Sequence, residues 1–597
     1  MVHVGIDIGT SNTLVAFVAP TGEPAIQNVA GHWLVPSIIH VDSVAGYRSI
    51  GAEALAAWAD PDADESGTFR RWKLQMGEGA LLRQMPIGAV GSTTVEEVTP
   101  ERLTTWLVEY VLDSISHGVG GDTIDSVLVT VPNGWRRENP EKCRATKEAA
   151  CAARVAGAEV TVQQVTLSEP VAAAVYWLWE ARRPRAGAQN TDDFVGKVVM
   201  VVDIGGGTFD LSLVRIGTPD QPLTVVSAVN NNYAGDYATA LMLARVCRAF
   251  NDAHDTALPT TATDVLAALQ GADHPFLRQW FIDIEAEFTH KLSSKISNAA
   301  KHNRPAPRPV DATFCDDNDR KVYITVTAEE WLTELDPFYT HGSDLVRKFL
   351  DSVNESPYAV VFAGGASRIA GVPERIVAPV LGTDNPALNR IPFNDDKVDV
   401  AVALGAALVA AGVVTVREKL LSDVGMIISF PNPDTNAAGA DRWRSALGVT
   451  GNGVILTPML QRGSELPAEF RTSQHGLAYA FYVPRGDSVD FKVVIDDDPS
   501  DPWIQDWTLD HPADGTRLTS VEVVLKADTD GGLTVTLDPV AAGGRVVGRV
   551  VGKDGQLHRH SSGRVILTIW APGATTANDL PRVSVERLRE ALESLRG

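Results

Sequence analysis

The chain carries the same unusual turn twice. At residues 198–214 the sequence VVMVVDIGGGTFDLSLV sets Gly205, Gly206 and Gly207 between Asp203 and Asp210, inside what otherwise reads as buried strand. Val198 to Val202 is a continuous apolar, β-branched run, the pattern of a strand covered on both faces. After the glycines, Phe209, Leu211 and Leu213 alternate with Asp210 and Ser212, which predicts a second strand. A dinucleotide fingerprint and a P-loop both lead into a helix, so neither fits. A glycine hairpin bares backbone N–H groups with no Cβ in the way of an anion, and Thr208 adds a hydroxyl donor. Asp203 and Asp210 would repel a bare phosphate; they make sense if a hydrated Mg²⁺ lies between them and the phosphates. Residues 4–18, VGIDIGTSNTLVAFV, repeat the plan, with Asp7 matching Asp203, Gly9 matching Gly205, and Thr10 and Ser11 in the turn. Two copies read as a duplicated fold gripping one nucleotide from both sides. A third glycine element, VVFAGGASRIAGVPERI at 360–376, sets Gly364-Gly365 after an apolar run, and here a helix is expected, its N-terminus meeting the ligand's polar edge.

A chain of 597 residues exceeds one hydrophobic core, and length alone suggests about four domains. The formal charge of −23 repels phosphate backbones and anionic headgroups, and no basic patch offsets it, which argues against nucleic acid or membrane as the main partner. Cys143, Cys151, Cys247 and Cys315 form no CxxC pair and read as free thiols in a reducing compartment. The N-terminus runs straight into a strand-like VHVGIDIG without a secretion signal, so a cytoplasmic location is expected. Residues 400–416 carry no charge until Arg417, but Ala and Gly dominate them; a buried helix is expected there, not a membrane span.

In order and spacing, DIGTS, DIGGGTFD, LSEPVAAAVYW (167–177), AGGASRI and VDVAVALGAAL (398–408) resemble the five nucleotide-site motifs of the actin-like ATPase superfamily. Within it they look most like the DnaK-type heat-shock protein 70 chaperones, and VLVTVPNGW (127–135) and the linker-like LLSDVGMIISF (420–430) narrow the match. The resemblance implies slow, Mg²⁺-dependent hydrolysis of ATP to ADP, with K⁺ as a further candidate cation. By the same resemblance Asp7, Asp203 and Asp210 are the metal-side acids, and Lys73, Glu169, Thr208 and Asp203 the catalytic group. Gly9, Thr10, Ser11, Asn12, Gly205, Gly206, Gly207 and Thr208 would hold the phosphates, and Gly235, Gly364, Gly365, Arg368 and Asp399 would line the nucleotide cleft. The stretch 285–294 is similar to the family's adenosine-side helix, but His290 and Lys291 do not align with its basic residues. Three departures bear on mechanism. Ala366 stands where the family has serine, Cys143 stands where a relay arginine is expected beyond Pro132, and Val165 stands where J-domain-responsive members have arginine, which predicts weak or altered J-protein stimulation.

From 425 onward the composition shifts to short alternating runs such as SVDFKVVI, SVEVVLKA and LTVTLD, separated by Gly, Asp and Pro, which predicts an antiparallel β-sandwich. The expected organisation is an α/β two-lobed actin-like ATPase domain, a duplicated ribonuclease-H-like fold, over 1–415; a linker at 416–424; a substrate-binding-like β-sandwich at 425–572; and a tail at 573–597. That tail holds one helix, with Val585, Leu588, Leu592 and Leu595 on one face and Ser584 as N-cap, too little for the family's helical lid. The favoured reading is a monomeric, lidless, ATP-dependent chaperone acting on unfolded or dedicated client polypeptides, with a J-domain protein and a nucleotide exchange factor as candidate partners. The alternative is a nucleotide-sensing scaffold with one fixed partner and vestigial hydrolysis; a sugar kinase or filament former is disfavoured, since neither needs a linker and β-module.

Overall fold

The computed structural model describes residues 2–19, 21–42, 48–59, 67–86, 95–118, 124–133, 135, 140–155, 158–159, 166–181, 194–217, 223–270, 274–353, 355–394, 396–416, 420, 422–430, 441–451, 453–477, 481–483, 488–496, 503–510, 519–528, 533–539, 567–568 and 580–596. They fall into two compact units, 1–416 and 417–597, fewer than length alone suggests.

The first unit is built twice over on one plan. Strand β1 (Val2–Ile8) turns back into β2 (Asn12–Val18) and pairs in parallel with β3 (Ile124–Val131), which in turn pairs with the short β4 (Leu167–Ser168). Strand β5 (Val198–Ile204) turns back into β6 (Phe209–Arg215), β6 pairs with β7 (Thr224–Asn231), and β5 pairs in parallel with β8 (Ala359–Ala363). Each parallel partner lies on the far side of the hairpin's first strand, so the second half repeats the pairing of the first.

The apolar run of β5 is buried at every position, as a strand covered on both faces requires. In β6 the alternation gives the strand but not two environments, because Asp210 and Ser212 are buried along with Phe209, Leu211 and Leu213. The uncharged segment forms helix α3 (Ala401–Ala410), which packs on α1 (Glu169–Ala181) and on β1. The backbones meet so closely that a Cβ on Gly405 would fall 1.8 Å from the Ala172 carbonyl oxygen, and one on Gly5 would fall 2.3 Å from the Ala407 nitrogen. Helix α2 (Gly235–His254) follows β7 and begins at the cleft between the halves. Among the described residues no helix is long and apolar enough to cross a membrane.

The second unit is antiparallel β structure around one apolar core. Its first strand, β9 (Asp423–Ser429), takes Asp423 and Val424 from the segment expected to be linker, and Leu420 is buried in the same core. β9 pairs with Gly453–Leu460 on one side and with Ser488–Asp496 on the other, and the described strands join in one continuous hydrogen-bonded sheet. The terminal helix α4 (Val585–Arg596) is capped as its sequence predicts, with the Arg587 N–H donating to Ser584 Oγ at 3.2 Å. Its Val585, Leu588, Ala591 and Leu592 complete the core against Trp443 of a helix over 441–447.

Candidate functional site

Both acidic turns are the last step of a buried strand. In the first hairpin Ile8 faces Thr13 and Asp7 faces Leu14; in the second Ile204 faces Phe209 and Asp203 faces Asp210. Four residues, 9–12 and 205–208, make each turn, and the second is closed by the Gly205 N–H donating to the Thr208 carbonyl at 2.9 Å. The copies differ in one chemical respect: only the second carries an acid on its returning strand.

The turns meet each other. A Cβ on Gly206 would lie 2.0 Å from Ser11 Oγ, and one on Gly207 would lie 2.6 Å from Thr10 Cγ2, so the glycines are what allow the two tips to touch. Gly364 has φ +77°, and a Cβ there would fall 2.3 Å from the Ile204 carbonyl oxygen, so the third glycine turn abuts the second. The helix expected after Gly364-Gly365 is a single 3₁₀ turn, Gly365–Arg368, followed by a π-helical stretch, Pro373–Val377. Gly371 (φ +86°) and Pro373 interrupt the run before an α-helix can propagate. No helix N-terminus of useful length therefore points at the site from this element.

Together these turns line an open cleft of ≈ 1060 Å³, including its solvent-filled mouth. Asp7, Gly9, Thr10, Ser11, Asn12, Lys73, Glu169, Asp203, Gly205, Gly206, Gly207, Thr208, Gly235, Gly364, Gly365, Arg368 and Asp399 all line it. Asp210 does not; it is buried opposite Asp203 in the ladder. Lys73 lies in a 3₁₀ turn, Trp72–Gln75, and its Nζ sits 2.7 Å from Oε1 of Glu169, the first residue of α1, with both side chains buried.

Carboxylates outnumber cations in the interior of this cleft. Burial and then repulsion from Glu169 push the Asp7 carboxyl up to about 7, partly offset by Lys73 and by the Thr130 hydroxyl, which donates to Asp7 at 3.1 Å. Asp203 is raised well above the ordinary range by burial and by Glu169, Asp210 and Asp7. Burial acts to lower Lys73, but Glu169 and Asp7 outweigh it and hold the ammonium charged. Burial also raises Asp399, against the pull of Arg368 at 2.5 Å. Acids forced towards neutrality beside a single cation suit a further cation. Among the described residues no three His, Cys, Asp or Glu side chains are grouped closely enough to bind a metal directly. The donor set therefore fits an oxygen-seeking ion that keeps its water shell, as Mg²⁺ does.

The structure adds residues that sequence reasoning passed over. Asp236, at the start of α2, accepts from Ser11 Oγ at 3.3 Å and pairs with Arg71 at 3.3 Å, tying the two halves across the cleft. Arg71 reaches it from a left-handed backbone, φ 58°. Glu285, Thr289 and His290 of the π-helical stretch Glu285–Leu292 line the same wall, whereas Lys291 pairs with Glu287. The one available signal was the Gly-Asp step at 235–236, directly beside a glycine already singled out. Ala366 lines the cleft without a hydroxyl, while the neighbouring Ser367 spends its own on the Ala363 carbonyl. Cys143 is buried, and Val165 lies outside the described residues.

Residues 3–263 match the family model described as Hsp70 protein. The chain is 24% identical over 469 residues to a chaperone protein DnaK of Thermotoga neapolitana, covering 78% of this chain and 66% of that protein. It is 26% identical over 502 residues to a chaperone protein HscA homolog of Bordetella pertussis, and 28% identical over 517 residues to one of Aromatoleum aromaticum; each match covers 81% of this chain and 68% of the relative. The chain thus spans about two thirds of the length of the curated relatives it matches.

Proposed function

We propose that this chain, a member of the Hsp70 family, binds Mg²⁺–ATP between the two acidic hairpins, hydrolyses it slowly, and through it governs polypeptide binding by the second unit. The observation that carries this reading is the contact of two like turns across one cleft, Gly206 on Ser11 and Gly207 on Thr10. Such a pair offers backbone N–H groups and the hydroxyls of Thr10, Ser11 and Thr208 to the β- and γ-phosphates from both sides. Lys73 offsets charge on the transferred phosphoryl group, and Glu169, oriented by Lys73, accepts from the attacking water. Asp7, Asp203 and Asp210 fit the water shell of Mg²⁺, with K⁺ as a second cation. When bound, the metal ion supplies charge neutralisation and a template for in-line attack. Gly235, Gly364, Gly365, Arg368 and Asp399 flank the nucleoside.

In this reading residues 1–416 are the actin-like ATPase and the β-structured unit is the client-binding module, with a J-domain protein and an exchange factor as partners. Nucleotide acts by favouring one of two binding modes of that module. The test is calorimetry of ADP and ATP with Mg²⁺, followed by anisotropy of a labelled apolar peptide in each nucleotide state. ATP should speed peptide release, and Thr208→Ala should lose turnover. Absence of adenine-nucleotide affinity overturns the site assignment. Peptide binding that ignores nucleotide overturns the coupling and favours a nucleotide-sensing protein with one dedicated partner.

A further inference from the structure

A second cavity opens at the other end of the sheet that carries the second acidic turn. Strands β5 and β8 run in parallel, and the glycine turns lie at their C-terminal ends. At their N-terminal ends lies a cavity of ≈ 670 Å³, including its open mouth, lined by Lys197, Arg215, Glu355, Tyr358, Asn385 and Arg390 among others. Seven residues of extended chain, roughly 20 Å, separate the two sites.

The charge here is opposite to that of the molecule. On a chain of net charge −23, this cavity is lined by three cations and one acid. That acid, Glu355, is already engaged by the Arg215 guanidinium, whose other nitrogen donates to the Gly196 carbonyl at 3.1 Å. The Arg390 guanidinium lies flat over the Tyr358 ring, 3.5 Å from its centroid, and Lys197 Nζ stands 5.6 Å from the same ring. Nη1 of Arg390 is buried and has no acceptor. A buried charged donor without an acceptor costs more than an ordinary hydrogen bond returns, so the arrangement calls for an oxyanion from outside the chain. A guanidinium held planar by an aromatic ring, with an ammonium beside it, suits the several oxygens of a tetrahedral anion.

We infer that this cavity is a binding site for a phosphate-type oxyanion, either inorganic phosphate or a phosphomonoester, separate from the nucleotide cleft. It holds one small anion, which is why no extended basic patch marks it in the sequence. The inference does not depend on what the cleft binds, since no residue is shared between the two.

The full chain, preincubated with ADP and Mg²⁺ so that anion sites in the cleft are filled, is titrated calorimetrically with phosphate, phosphoserine and acetate. Phosphate or phosphoserine should bind and acetate should not. Tighter binding of phosphoserine identifies a phosphomonoester as the ligand, and tighter binding of phosphate the free ion. Arg390→Met and Lys197→Met should each weaken binding by about tenfold or more, with ADP titration and thermal midpoint unchanged. Should Arg390→Met lose its fold, Lys197→Met on the cavity rim carries the test alone. Phosphate affinity unaltered in a folded Lys197→Met or Arg390→Met variant overturns the inference, as does equal binding of acetate.

Discussion

Lys73 Nζ lies 2.7 Å from Glu169 Oε1 in the buried interior of the cleft, joining residues 96 positions apart. The lysine arrives on a 3₁₀ turn and the glutamate opens α1, so the pair fixes the outer part of the first half to the helix between the halves. It also sets the only ammonium among Asp7, Glu169, Asp203 and Asp210.

Lys73→Met removes that cation and leaves the acids facing one another. Breaking a buried pair from one side costs ~3–5 kcal/mol, which should appear as a lowered urea midpoint together with loss of turnover. A variant carrying Lys73→Met and Glu169→Gln should recover part of the stability but none of the activity. If the single and double variants unfold at the same urea concentration, the pair is not coupled as described.

Gly206→Ala places a methyl 2.0 Å from Ser11 Oγ and 2.7 Å from Ser11 Cβ, so the two turns must separate. Nucleotide affinity should fall by about tenfold or more, the scale of a ~1–3 kcal/mol overpacking cost at a contact point. Wild-type affinity in this variant, measured by calorimetry, would show that the turns do not need to touch.

Gly405→Ala tests a different contact, where a Cβ would fall 1.8 Å from the Ala172 carbonyl oxygen. Backbone cannot give way as a side chain can, so α1 and α3 must part, at a cost of ~3 kcal/mol or more. Differential scanning calorimetry should show a lower first-unit transition with the second-unit transition unmoved; unchanged melting contradicts the helix packing.

Glu285 gives a pH signature. Burial in the cleft wall, with Asp236 adding to it against Arg70, pushes its carboxyl from 4.5 up to about 7. The folded chain then binds a proton that the unfolded chain has lost, so this contribution to stability is present below pH ~4.5 and is lost as pH rises to about 7. With a side chain 38% exposed, the effect is small. Glu285→Gln should flatten the fall in urea midpoint between pH 5 and pH 8, and parallel profiles would remove Glu285 as its source.

Leu588→Ala probes whether α4 belongs to the second unit's core. Leu588 is fully buried against it, and truncation should cost ~2–5 kcal/mol in that unit's unfolding. A change below ~0.5 kcal/mol, the range of surface substitutions, would mean that the helix merely lies on the surface.

What the sequence made legible was local. The twin hairpins, the buried helix at 401–410 and the Ser584 cap each follow from a run of neighbouring residues whose period or turn chemistry has one physical solution. The Arg71–Asp236–Ser11 tie could not be read in this way, because its members sit on three elements and meet only when the halves close. The turn after Gly364-Gly365 went wrong for the opposite reason. Its residues suit a helix, but Gly371 and Pro373 cut it to one 3₁₀ turn, and contact with Ile204 fixes the rest. Strand β9 took up part of the presumed linker because Val424 and Leu420 have a core to enter, which their position in the sequence did not disclose.

Helix α1 packs against β5, β6 and β8 of one half, where Trp177 Nε1 donates to the Phe362 carbonyl at 3.0 Å, and against α3, itself laid on β1, β2 and β3 of the other. The tightest backbone approach between these helices, at Gly405 and Ala172, makes them the pin of a hinge. Glu169 stands at the end of that pin, so swinging the halves apart sweeps the hairpin tips through a wide arc while the glutamate hardly travels. Opening and shutting can therefore admit or release a ligand without dismantling the Lys73–Glu169 contact beside the axis.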